Sequence, residues 1–391
     1  CTGANDDVII QRAINALPSS GGAIQFSEGL FTCAANIYIT PISNVLFRGC
    51  GVATSIIGRF ALSDLSNITI EHMQIDANAS GVTIHGTNVS GIRVQNCLVK
   101  GGLITAQNIF LRGSKVWIIN NDVQGAGAGI LLGKTWNDGY AADDIYVMGN
   151  KVYNTDDDGI CVDNGRYVHI VSNSVDKGGT ITGSGGIKIF GGCQFMDIIG
   201  NLVRNCNHAT AGMHGIVADI EVGDYSNGSF VNIIGNSITT ISWSGIRLGG
   251  FVGYTPNKVN ISLNSIYDAN KLAGAGQGDV CLINTTNIRV VHNWATTIYR
   301  EGDTGTILKG NFGYITENSG TATVASGATT VVVSHGLATT PTRVLLTARL
   351  WSNASKAWVT TLGATQFTIN VDSDPGAGTA IFDWRAQVGE G

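Results

Sequence analysis

The sequence predicts an all-β fold: a right-handed parallel β-helix with a short N-terminal capping helix and a small C-terminal antiparallel β-sandwich. Three observations carry that expectation. An asparagine closes each of seven similar apolar strings, at positions 121, 150, 173, 201, 236, 264 and 293, spaced 23–35 residues apart. Glycine followed by an apolar residue recurs at Gly129, Gly159, Gly186, Gly215 and Gly245, 27–30 residues apart. Glycine supplies 53 of the 391 residues, about twice the usual share, and charged residues only 13%.

Each repeat holds short alternating apolar runs, which read as strands with one face buried. A propeller blade needs about 40–45 residues, and a leucine-rich repeat needs its leucines, so the period and composition select a coil of a β-helix. Coils stacked at the inter-strand spacing align equivalent side chains into ladders. An asparagine in such a ladder bonds to the asparagines above and below and to turn backbone, and tolerates left-handed geometry. The glycine excess suits corners with positive φ.

The ends follow from local signals. Asp6 to Leu17 is the one convincing helix, with Asp6 and Asp7 read as its cap and Pro18 closing it. Placed there, it covers the open edge of the first coil. The asparagine pattern stops after Asn293 and the last coil runs to about Asn318, which predicts a β-helix over residues 1–318 of about ten coils. Six alternating runs split by Gly, Asn and Pro then predict a sandwich over residues 319–391.

Composition excludes other classes. A hydrophobic fraction of 43% rules out a disordered chain, and a net charge of −5 leaves no basic footprint for nucleic acid. No apolar run reaches the ~18 residues of a membrane span. With Cys1 first and neither initiator Met nor signal peptide, the chain is expected to be a mature or trimmed product. The eight cysteines contain no CxxC pair, so no zinc site is expected. Cys97, Cys161 and Cys281 read as small core residues. A Cys33–Cys50 or a Cys193–Cys206 disulfide is compatible with the spacing, and the cysteines do not fix the compartment.

Gly3-Ala4-Asn5-Asp6-Asp7, Ile10-Gln11-Arg12-Ala13-Ile14 and Gly21-Gly22-Ala23-Ile24-Gln25-Phe26 with Gly29 resemble the opening of the pectate-lyase-type β-helix superfamily. Arg48-Gly49-Cys50-Gly51 followed by Thr54-Ser55-Ile56-Ile57 continues the match. That superfamily includes bacteriophage tailspikes, polygalacturonases and polysaccharide lyases. The signature covers about 60 residues, and the repeats extend the resemblance to roughly residue 318. It is specific for the superfamily, not for one activity. It implies a polysaccharide partner, a secreted protein or one on a virion tail, and assembly as a homotrimer. The tail, ending Phe382-Asp383-Trp384-Arg385-Ala386, resembles small β-sandwiches of phage tail proteins and H-type lectins.

Chemistry is expected on the outer face. Residues 137–224 hold 12 of the 28 carboxylates. In Gly159-Ile160-Cys161-Val162-Asp163 the Ile and Val point inward, so Cys161 and Asp163 point out. The equivalent outward positions are Lys188 and Phe190, then Val217 and Asp219, then Arg247 and Gly249. Stacking places Asp163, Phe190 and Asp219 in one column, with Lys188 and Arg247 in the next. Two coils separate Asp163 from Asp219, about 9.6 Å between Cα atoms. Carboxylates about 6.5–9.5 Å apart suit an inverting glycosidase, with one acid protonating the leaving oxygen and the other activating water.

The catalytic candidates are therefore Asp163 and Asp219, with Asp157, Asp158 and Glu221 beside them. Asp156-Asp157-Asp158 can raise a neighbour's pKa by like-charge repulsion or cap a corner. Lys188, Phe190, His214, Trp243, Arg247 and Tyr254 are the substrate-binding candidates. Phe190, Trp243, Phe251 and Tyr254 bring aromatic surface that sugar rings stack on, and Trp136 and Tyr140 read as one cleft wall. His214 also reads as a turn residue, and Lys188 and Arg247 as solvated ladder charges. Polygalacturonases carry motifs similar to Asn154-Thr155-Asp156, Asp157-Asp158, Met213-His214-Gly215 and Gly245-Ile246-Arg247. Here the Asp-Asp pair follows at once instead of a coil later, and the last two motifs are incomplete, so that family's specificity is not carried over.

Three function classes follow: a polysaccharide hydrolase without cofactor, a polysaccharide lyase, and a non-catalytic glycan-binding adhesin. In the lyase, Lys188 or Arg247 abstracts the C5 proton and an Asp site or Ca²⁺ neutralises the uronate. Carboxylates outnumber bases on this face, which favours the hydrolase.

Overall fold

A computed structural model describes residues 5–39, 41–78, 81–103, 105–125, 127–133, 142–176, 184–207, 210, 212–220, 230–250 and 256–388. Among the described residues the protein is all-β apart from one short helix: a parallel β-solenoid followed by small antiparallel sheets. Alternating strands turn one apolar face inward, and coil stacks on coil to bury it. One inward ladder runs Ile24, Phe47, Ile70, Val94, Ile118, Val147, Ile170, Ile198, Ile233, Ile261, Val290 and Leu308. From Phe47 onward every member is buried. Each such side chain contributes roughly 1.5–3 kcal/mol of transfer free energy. The ladder has twelve rungs and spans about 53 Å.

The asparagine ladder lies at one corner, as its period predicts. Nδ2 of Asn121, Asn150, Asn173, Asn201, Asn236 and Asn264 each donates to Oδ1 of the next ladder asparagine at 2.9–3.0 Å. Each also donates to a carbonyl of the preceding coil, and its Oδ1 accepts the backbone N–H of the residue one rung back, beginning with Cys97. The ladder continues to Asn311, only 18 residues after Asn293. The left-handed residue is not the ladder asparagine but the one before it: Asn120, Gly149, Ser172, Gly200, Gly235, Leu263, His292 and Gly310 all have positive φ.

Helix α1 (Asp6–Asn15) covers the first coil, with Ile10 and Ile14 packed into the solenoid core. Its acids do not cap it. Asn5 occupies the N-cap without a side-chain bond, while Asp6 Oδ2 accepts the Thr32 N–H at 2.9 Å and Asp7 Oδ1 the Ala34 N–H at 2.9 Å. Gln11 donates to Tyr38 O at 2.9 Å and accepts the Tyr38 N–H at 3.1 Å, taking the place of a further strand on that edge.

Beyond the last parallel strand, Phe312–Gly313, two three-stranded antiparallel sheets form. One orders Glu317–Val324, Ala380–Gln387 and Arg343–Leu350; the other orders Thr330–Ser334, Gln366–Val371 and Ala357–Thr360. Val324, Phe367, Ile369, Phe382 and Trp384 form a core separate from that of the solenoid. The two disulfides the spacing allows do not form: Cys33, Cys50 and Cys193 are free thiols. Burial pushes Cys33 and Cys193 up to about 12, so both stay protonated.

Candidate functional site

The parallel sheet that begins at Ile37–Ile39 continues through Ile160–Asp163, Gly185–Phe190, His214–Ile220, Ile246–Gly250, Val280–Ile283 and Ile298–Glu301. Strand parity sets its two outward columns. Gly133, Asp163, Phe190, Asp219 and Gly249 stack in register in one. Leu131, Cys161, Lys188, Val217, Arg247, Cys281 and Tyr299 stack in the other. Asp163 and Asp219 are thus two rungs apart, about 9.6 Å between Cα atoms. Asp219 enters by its backbone register alone. Glu221 and Tyr254, with Trp136, Tyr140, Asp224 and Phe251, lie outside the described residues.

Asp163 is 7% exposed. Its Oδ1 accepts from Asn164 Nδ2 at 2.8 Å, while Asn164 N–H donates to Phe190 O and Asn164 Oδ1 accepts the Gly192 N–H. The next coil's corner therefore orients the carboxylate. Asp158 Oδ1 accepts the Gly185 N–H at 2.8 Å, a corner bond of the kind expected of the Asp run, and its Oδ2 stands 3.8 Å from Lys188 Nζ. Lys188 Nζ also lies 5.4 Å from the centroid of Phe190, so the cation sits between carboxylate and ring. Asp157 is half-buried, and its N–H donates to Gly127 O.

Cys161 occupies an outward position yet is buried, and burial followed by the charge of Asp158 drives its thiol well above the usual range. Outward direction here does not mean exposure. His214 is not a turn residue; it opens a strand and is 2% exposed, with its ring 5.3 Å from that of Trp243. Its Nδ1 accepts the Ser244 N–H at 3.3 Å, which leaves the neutral ring's proton on Nε2. Burial, then Arg247 and Lys188, pull His214 down to about 3. A Cβ on Gly212 would fall 1.7 Å from Trp243 Cε2, so the indole needs glycine there.

Sequence reasoning missed Asn164, Ser184, Ser244 and Gln277, the polar residues behind this face. Ser244 Oγ donates to Gln277 Oε1 at 2.6 Å, and His214 N–H donates to Ser184 O at 2.9 Å. A signal existed for Ser244 alone: Asp158, His214 and Ser244 each precede a marker glycine and are buried polar residues. Chemically, the face presents two carboxylate positions flanking an aromatic ring, two cations alongside, and a neutral imidazole beneath. Among the described residues no three His, Cys, Asp or Glu side chains gather as metal ligands. No described helix is long and apolar enough to cross a membrane.

No family model and no curated protein matches the chain. Among solved structures it is similar to the tailspike protein gp49 of Pseudomonas phage LKA1, at 13% identity and a TM-score of 0.46, over 94% of this chain and 68% of that one. It is also similar to the A-module of the Azotobacter vinelandii mannuronan C-5 epimerase AlgE6, at 17% identity and a TM-score of 0.43, over 80% and 88%. PfbA, a surface adhesin of Streptococcus pneumoniae, aligns at 11% identity and a TM-score of 0.46, over 78% and 88%. At these values the fold rests on the chain's own ladders rather than on any likeness.

Proposed function

We propose that this protein is an extracellular or virion-borne polysaccharide depolymerase that hydrolyses glycosidic bonds on the outward columns between Ile160 and Gly250. The observation that supports this reading most is the register of Asp163, Phe190 and Asp219: two carboxylate positions two rungs apart with an aromatic ring between. Asp163, nearly buried and oriented by Asn164, is assigned as the general acid. Asp219 is the base that activates water on the opposite side of the sugar. Phe190 supports the ring, Lys188 and Arg247 bind substrate oxygens, and Asp158 positions Lys188.

A specific observation favours elimination as the second reading. Lys188 and Arg247 flank the column, and both act electrostatically on the neutral His214, an arrangement suited to a uronate carboxylate and C5 proton abstraction. That lyase would draw on Ca²⁺ if cations are needed beyond Lys188 and Arg247. Digestion of a capsule and exopolysaccharide panel by the full chain separates the readings. Reducing ends without absorbance at 235 nm support hydrolysis; a rise at 235 nm supports elimination; neither, with retained glycan binding, supports an adhesin. Asp163→Asn and Asp219→Asn each lower turnover at least a hundredfold in the hydrolytic reading.

A further inference from the structure

The outward column that carries Lys188 extends toward the N-terminus through Cys161, Leu131, Phe110, His85, Ala61 and Tyr38, one rung each. Around its far end the surface is hollowed. A cavity of about 290 Å³ is bordered by Cys33, Asn36, Tyr38 and Arg59. A second, of about 210 Å³, is bordered by Asn36, Arg59, Ala61, His85, Gln107 and Phe110. The two share Asn36 and Arg59, so they form one furrow along the sheet.

The hollow has a simple origin. In the column Tyr38, Ala61, His85, Phe110, three members carry rings and Ala61 carries a methyl group. Tyr38 and His85 stand two rungs apart, about 9.6 Å between Cα atoms. Elsewhere in this protein rings on adjacent rungs stack with centroids 5.0 Å apart, as Tyr146 and His169 do. The Ala61 rung therefore has room for one further ring supplied from outside. Tyr38, 51% exposed, offers open aromatic surface beside it.

The charges around the hollow are cationic on one side. Arg112 lies over Phe110 with its guanidinium carbon 4.7 Å from the ring centroid, and the His85 and Phe110 rings stand 5.5 Å apart. Arg59 and Arg112 both hold His85 below its ordinary range, after burial, so both guanidiniums are near that imidazole. Asp6 and Asp7 act on Cys33 at the opposite end, which places an anion toward His85 and not toward Cys33. Asn36 and Gln107 supply amides of the kind that bond sugar hydroxyls.

We propose that the furrow over Ala61 is a remote subsite for one acidic sugar ring, seated between Tyr38 and His85 with its carboxylate toward Arg59. Ala61 and Cys161 are four rungs apart, about 19 Å, so the subsite grips the chain well away from the bond that is cut. This names an anionic polysaccharide as the substrate class and rests on the depolymerase reading above.

The test uses the full-length chain carrying Asp163→Asn, so that oligomers survive the measurement. Calorimetric titration compares oligogalacturonate, oligoglucuronate, oligomannuronate and oligosialate, each against its carboxyl-reduced counterpart. At least one acidic oligomer binds, and its reduced counterpart binds at least tenfold more weakly. Arg59→Met weakens the acidic oligomer roughly ten- to hundredfold, the scale of a lost charge-assisted bond, without changing the reduced one. Ala61→Trp fills the rung and removes the binding, and an unchanged melting temperature certifies its fold. Equal binding of acidic and reduced oligomers, no binding by any of the four, or full binding by folded Ala61→Trp overturns the proposal. The two readings fail separately. Full turnover in Asp163→Asn sinks the catalytic assignment alone, whereas normal binding by Ala61→Trp sinks the subsite alone.

Discussion

Replacing Asn201 by alanine probes the ladder at its middle rung. Asn201 Nδ2 donates to Ile170 O at 2.9 Å and to Asn236 Oδ1 at 3.0 Å. Its Oδ1 accepts Asn173 N–H at 2.9 Å and Asn173 Nδ2–H at 3.0 Å. The substitution leaves two buried donors of Asn173 without their partner. An unsatisfied buried group costs about 1–3 kcal/mol, so the pair alone gives roughly 2–6 kcal/mol. That is a large part of the ~5–15 kcal/mol that holds a typical domain. In a solenoid the loss stays with neighbouring coils, because each coil touches only the next. Urea unfolding measures the total, and hydrogen exchange at the Asn173 amide locates it, while amides between Glu317 and Gln387 keep their protection. Asn232→Ala is the control. That side chain sits on the outer face and bonds only to Asp197 Oδ1 among the described contacts, so its loss costs under about 0.5 kcal/mol. Equal, small effects for both substitutions refute the claim that the amide ladder holds the coils together.

Four further outcomes are expected. His214 titrates near 6.5 when unfolded but about 3 when folded, so the unfolded chain takes up the proton first. Stability therefore falls as pH drops below about 6.5, by up to ~1.4 kcal/mol per pH unit, and urea midpoints of His214→Gln between pH 6.5 and 4.5 lack that contribution. Gly212→Ala drives a methyl group into the Trp243 indole, lowering stability by roughly 1–3 kcal/mol and shifting tryptophan fluorescence. Asp163→Asn lowers turnover on the cognate glycan at least a hundredfold but leaves the melting temperature unchanged, whereas Asp197→Asn and Asp268→Asn keep full activity. Val332, Leu345, Leu350, Trp351 and Trp358 are exposed on the C-terminal sheets, which suits assembly as a parallel homotrimer. Light scattering then gives three times 40.9 kDa for the full chain and a monomer after removal of residues 319–391; a single-chain mass for the full protein rules the trimer out.

Much of this was legible because a parallel solenoid repeats its geometry at a fixed sequence interval. The seven asparagines announced the corner, and parity in Gly159 to Asp163 placed Asp163, Phe190 and Asp219 in one column. Asn311 escaped because its coil is only 18 residues long, below the repeat interval. The left-handed corner residue escaped because eight different positions fill it with Gly, Asn, Ser, Leu or His, so composition carries no single marker. Asp6 and Asp7 follow the sequence rule for a helix cap, yet the first coil's N–H groups compete for the same carboxylates and win. Burial of Cys161 was expected of a small core residue, whereas that of His214 was hidden for another reason. Parity gives a side chain's direction, while exposure depends on what neighbouring coils and connecting segments place above it. The furrow over Ala61 depends on a small residue among large ones, which is visible in sequence only once the register is known.

The stereochemistry of cleavage tests the central claim most directly. Asp163 and Asp219, two rungs and about 9.6 Å apart between Cα atoms, leave room for a water between base and sugar, so hydrolysis inverts the anomeric centre. Proton NMR of a digest, recorded within the first minutes before mutarotation mixes the anomers, reads the configuration of the newly formed reducing end. The account predicts the anomer opposite to that of the cleaved linkage, formed by the parent chain and not by Asp163→Asn or Asp219→Asn. A retained anomer, or a vinyl proton signal from an unsaturated sugar, contradicts it.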